Sequence, residues 1–97
     1  MDADRIERKL EEKKINIERV FHVREIGIFG SFIRGEETAS SDIDVLVEFE
    51  KGHNDFFNYM KLKYYLEELL ERKVDLVIKN AVKSRLKERI FSEVEYV

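Results

Sequence analysis

Hydrophobic residues fall on two periods along this chain, and the switches between them mark its elements. Over residues 3 to 21, Ile6, Leu10, Ile17, Val20 and Phe21 recur at helical spacing among charged residues. The stretch "KKIN" suggests a break near Asn16, which would serve as the N-cap of a second helical piece. Residues 24 to 29 change to the strand period, with Ile26 and Ile28 alternating against Glu25 and Gly27. The next stretch, "GSFIRGEETASS", reads as a turn-rich connection with room for about one helical turn after Gly30. Residues 42 to 49 carry the clearest strand pattern: Ile43, Val45, Val47 and Phe49 share one face, and Asp42, Asp44, Leu46 and Glu48 the other.

Residues 54 to 72 predict the strongest helix, with one stripe of Tyr59, Leu62, Leu66, Leu69 and Leu70 beside a second of Phe56, Phe57, Met60 and Tyr64. A third strand, "KVDLVI", puts Val74, Leu76 and Ile78 on one face and Asp75 with Val77 on the other. Residues 81 to 95 predict a closing helix with the stripe Leu86, Ile90, Val94. The order α-β-(short α)-β-α-β-α predicts an α/β (α+β) fold, a small mixed sheet covered by helices. The second stripe of the long helix is more apolar surface than one core contact needs. It is either a partner face or packs under the terminal helices.

Composition narrows the function classes. At 97 residues with 43% hydrophobic content, one domain over residues 1–97 is expected, with no material for a second lobe. No second domain is therefore expected to hold a tRNA, an RNA end or an antibiotic. With no cysteine, disulfides and thiolate metal sites are ruled out. No apolar run reaches the roughly 20 residues of a membrane span, and "MDADRIERKLEEKK" lacks a signal-peptide core, so a cytoplasmic location is expected. Net charge is −3, from 21 acidic and 18 basic residues, without a block of positive charge. That argues against direct nucleic-acid binding as the main task, though not against a small anion held through a metal. The 40% charged content with no Cys and no Gln leans toward a thermophilic source.

The acids raise the chemical question. Asp42 and Asp44, two apart on a strand, present carboxylates on the same face, where unpaired like charges repel. A divalent cation removes that conflict, and an oxygen-only ligand set suits Mg²⁺. Asp75 is the only acid inside the third strand. If Val74, Leu76 and Ile78 face the core, it emerges on the side of Asp42 and Asp44. Three such carboxylates suit two metals, as in phosphoryl or nucleotidyl transfer. The plainer alternative is a solvated D-x-D, with Ser40 or Ser41 capping a local turn.

"GSFIRG" is the second constellation. A Gly-Ser pair opening a short helix leaves backbone N–H groups free for phosphate oxygens, with Gly30 allowing close approach and the Ser31 hydroxyl adding a donor. Arg34, one turn on, is placed to reach a phosphate or a site carboxylate. An ordinary strand-to-helix turn with a surface arginine is the alternative, and the P-loop pattern is absent. His22 and His53 fall at element ends with no companion ligand in view, so both read as ordinary surface histidines. Tyr96 reads as a docked terminal aromatic rather than a self-modification target.

Together, "GSFIRGEETASSDIDVLVEFE" resembles the signature of the minimal nucleotidyltransferases of the DNA polymerase β-like superfamily, G-S-x-x-R-G, a spacer, then S-D-I-D-x-x-V. The ending "RLKERIFSEVEYV" is similar to the antitoxin branch called MNT, which is usually encoded beside a HEPN-domain toxin. The resemblance implies the polymerase β-like fold, with Asp42, Asp44 and Asp75 as catalytic metal ligands for Mg²⁺, two ions being expected. It further implies ATP as substrate, its triphosphate on Gly30 and Ser31, and AMP transfer to a tyrosine of a HEPN RNase. Two alternatives stay open: a catalytically silent antitoxin acting by binding alone, and a transferase for a small-molecule or RNA-end acceptor.

Overall fold

A computed structural model describes every residue from Met1 to Val97. Helix α1 spans Ala3–Glu12 and α2 spans Lys14–Phe21. Asp2 caps α1 by accepting the Arg5 N–H at 2.9 Å. The break comes earlier than the sequence suggests, at Lys13 (φ −107°), where backbone alone tightens the turn: its N–H bonds Leu10 O at 3.2 Å. Asn16 is therefore no cap. It lies inside α2, and its side chain reaches the Tyr65 hydroxyl at 3.3 Å. The kink also leaves Ile17 and Phe21 facing the core and turns Val20 outward.

Strand β1 (Val23–Phe29) leads into the one-turn helix α3 (Ser31–Arg34), and β2 (Ile43–Phe49) follows the spacer. Helix α4 (Phe56–Leu70) begins at Asp55, whose carboxylate accepts the Asn58 N–H at 2.9 Å, and β3 (Val74–Ile78) follows it. A 3₁₀ turn over Lys79–Ala81 precedes α5 (Ser84–Glu93). The closing helix is shorter than its pattern predicts. Val94 is extended (ψ 136°), and Glu95–Tyr96 forms a short strand, β4, along β1. The gain is pairing for an otherwise open edge, including Val97 N–H to Ile26 O at 3.0 Å. Gly27 permits the close approach, since a Cβ there would lie 2.7 Å from Glu95 O.

The sheet order is β3-β2-β1-β4, with β2 and β3 parallel and the other pairs antiparallel. The parallel pair is joined through α4, as a crossover must be. Alternation then sorts the two faces. Ile26, Ile28, Ile43, Val45, Val47, Val74 and Leu76 meet α1, α2 and α4 in the main core. On the other face, Phe29 and Leu46 pack with Val82 and Ile90 of the C-terminal segment. Thus α5 covers part of the acid-bearing face and leaves the Asp44 end open.

Candidate active site

Register brings the acids together. Asp44 stands directly opposite Asp75 in the parallel pair, and opposite Phe29 of β1, the residue before Gly30. Parallel neighbours in register project to the same side, so both carboxylates leave the sheet away from the main core. Burial first, then Asp75, raises the Asp44 carboxyl from its ordinary 3.8 to about 6, while the Ser31 backbone N–H opposes the rise and Asp42 adds little to it. Asp42, just before β2, is exposed.

Gly30 adopts φ +79°, and a Cβ there would fall inside the Asp44 carboxylate. The glycine therefore makes room for the Asp44 carboxylate. The two constellations of the sequence are one packed unit.

Gly30, Arg34, Asp44 and Asp75 line a cleft of about 420 Å³, whose other wall comes from the C-terminal segment with Lys83, Arg85 and Arg89. Ser31 and Asp42 adjoin this lining without forming part of it. Acids at the floor and bases on the wall suit a polyphosphate bridged by a cation. The donor set fits magnesium, being all oxygen with like charges left uncompensated. Arg34 does not turn to the aspartates. Its guanidinium binds both oxygens of Glu93 at 3.0 and 3.2 Å, and Glu93 also accepts the Gly30 N–H at 2.9 Å. A carboxylate of α5 thus holds two donors at the mouth of the cleft.

The spacer is tied down too. Arg72, stacked over Phe32 at 5.3 Å, donates to the carbonyls of Ala39 and Ser41 at 3.3 and 3.0 Å. Ser41 Oγ accepts the Thr38 N–H at 2.8 Å, so the serine turn and the acid cluster coexist.

The nucleotidyltransferase domain family matches residues 4–97. The chain belongs to the nucleotidyltransferase family. This nucleotidyltransferase is 43% identical over its full length to the protein adenylyltransferase MntA of Thermococcus cleftensis, covering 97% of that protein. A solved structure of a candidate minimal nucleotidyltransferase superposes with a TM-score of 0.83 at 33% identity, covering 98% of this chain and 95% of that one. The fold is also that of an MNT antitoxin solved with a tri-AMPylated HEPN toxin of Shewanella oneidensis (TM-score 0.66, 22% identity, 94% of this chain and 70% of that one). The minimal nucleotidyltransferase fold implied by the sequence resemblance is the one observed.

The sequence pattern passed over the cleft's basic wall and Glu93. Arg85 and Arg89 are four apart on a helix, a spacing that puts both on one face. No helix of this nucleotidyltransferase is long and apolar enough to cross a membrane.

Proposed function

We propose that the enzyme transfers AMP from ATP to a hydroxyl of a cognate HEPN-family toxin, a tyrosine being the acceptor, and acts as its cytoplasmic antitoxin. The observation that carries this is the Asp44–Asp75 pair against Gly30, at the floor of a cleft walled by Lys83, Arg85 and Arg89. Support for a protein acceptor comes from the adenylyltransferase MntA and the AMPylated-toxin complex among its relatives.

In this reading Asp42, Asp44 and Asp75 hold Mg²⁺, and Gly30, Ser31 and Arg34 with the basic wall hold the triphosphate. Bound Mg²⁺ supplies the positive charge that offsets the acids and the charge developing on the phosphates. The acceptor oxygen forms a bond to the α-phosphorus as the bond to the β-phosphate oxygen breaks, releasing pyrophosphate. Asp75, the more exposed partner, positions the hydroxyl and takes its proton. Glu93 must yield Arg34 and the Gly30 N–H to the incoming phosphates, since both claim the same donors.

Incubation with ATP, Mg²⁺ and a HEPN protein, taken from the neighbouring reading frame where one is encoded there, followed by intact-mass measurement of that protein, tests the proposal. Gains in AMP increments that vanish in Asp44→Ala are expected. Unchanged mass with a tight complex would make the chain a silent binding antitoxin. Labelling of nucleic-acid ends or small molecules without a protein partner would make the acceptor something else.

A further inference from the structure

The two histidines that looked unaccompanied in sequence are stacked on each other, with ring centroids 3.7 Å apart and planes at 15°. Glu50 completes the group: its carboxylate lies 3.7 Å from His22 Nδ1. One ligand atom from each of His22, Glu50 and His53 falls within 4.8 Å of the others. Sequence could not reveal this, because the residues come from the end of α2, the end of β2 and the loop before α4.

Their backbones are fastened to one another. Glu50 N–H donates to His22 O at 2.8 Å, and His53 N–H donates to Glu50 O at 3.0 Å. The Asn58 amide then bridges the carbonyls of Phe21 and His53 at 2.7 and 3.0 Å. His22 itself is held in the left-handed region at φ 55°. Such a frame limits motion to the side chains.

We infer that His22, His53 and Glu50 form a second divalent-metal site, for zinc(II), separate from the nucleotide cleft. Two imidazoles and one carboxylate are a zinc ligand set of the three-ligand, open-position type, and imidazole nitrogen selects against Mg²⁺. Zinc bonds of about 2.0–2.1 Å place tetrahedral ligands roughly 3.4 Å apart, so rotations about the side-chain torsions bring this group into range. The ligands are reachable from solvent, with His22 43% and Glu50 55% exposed. The two histidines border a cleft of about 290 Å³ lined also by Asp55 and Lys61. The seven residues of β1 separate His22 from Gly30, roughly 20–25 Å at the strand rise, so the two metal sites act independently. Bound zinc pins α2, β2 and the loop entering α4 together.

Isothermal titration of the full chain with ZnCl₂, in millimolar Mg²⁺ at pH 7.5, tests the inference. One zinc per chain with a dissociation constant of about 10 µM or tighter is expected, with a zinc-dependent rise in Tm. Co²⁺ in place of zinc should give the intense visible absorption of tetrahedral coordination. His22→Asn, chosen because asparagine tolerates the left-handed region, and His53→Gln should each weaken zinc binding at least 100-fold. Glu50→Gln should weaken it about 10-fold, and Asp44→Asn with Asp75→Asn should leave it unchanged. Circular dichroism without metal confirms that each variant is folded. Zinc affinity unmoved by the histidine changes, lost in the aspartate variant, or weaker than about 0.1 mM in the parent chain overturns the inference.

Discussion

At the scale of single residues, the charges explain both the chemistry and its cost to the fold. Asp44 has a folded-state pKa raised to about 6 by burial and by Asp75. A raised acid binds its proton better folded than unfolded, so the pair lowers stability as pH climbs from about 4 to about 6, and the penalty persists above. Asp44→Asn with Asp75→Asn should therefore abolish Mg²⁺-dependent nucleotide binding and AMP transfer while leaving the metal-free Tm at pH 8 unchanged or higher. Unfolding of that variant would make the pair structural. In the parent enzyme, Mg²⁺-ATP affinity should fall as pH drops below about 6, where Asp44 takes up a proton. Glu93 gives a separate prediction. Glu93→Gln frees Arg34 and weakens the hold on the Gly30 N–H, so ATP should bind about 3- to 10-fold more tightly by equilibrium titration, because the competing carboxylate is gone. Weaker ATP binding in that variant would show that Glu93 orients Arg34 for the nucleotide rather than competing with it.

At the scale of elements, alternation along β1, β2 and β3 was legible because one face of each strand is apolar, and the shared face of Asp44 and Asp75 followed from it, whereas Asp42 lies just before β2, outside the alternation. The caps were not legible where backbone does the work: Lys13 breaks the N-terminal helix without a capping side chain. The end of α5 escaped the pattern for a different reason. Val94 continues the helical spacing of Leu86 and Ile90, while the open edge of β1 beside Gly27 and the strand-favouring Val94, Tyr96 and Val97 settle the end as a strand. Docking β4 also carries a charge conflict to α1. Burial, then Glu95, pushes the Glu7 carboxyl up from 4.5 to about 7. That stabilisation of the protonated form is lost as pH rises from about 4.5 to 7. Glu7→Gln should raise stability at pH 8 by about 1 kcal/mol after allowing for solvent screening, or about 4–8 °C in Tm, and change little at pH 4. Thermal melts at the two pH values check both the sign and the window.

At the scale of the whole molecule, the second stripe of α4 is settled as a surface. Phe56, Phe57 and Tyr64 are 70%, 76% and 61% exposed, whereas Leu62, Leu66 and Leu70 carry the core. An apolar strip of this kind suits contact with a protein. On the proposed reading of a protein acceptor, Phe57→Ser with Tyr64→Ser should slow AMP transfer to that acceptor at least 10-fold while leaving ATP affinity unchanged, and equal transfer rates would place the acceptor elsewhere. One further consequence follows from the parallel register that sets Asp44 against Asp75. A single-residue deletion anywhere between β2 and β3 that slid the pairing by one would turn Asp75 into the core and Val74 into the cleft. Outside the buried leucines of α4, composition in that segment is freer to drift than its length. Insertions and deletions there should be tolerated only where a loop absorbs them before β3 begins.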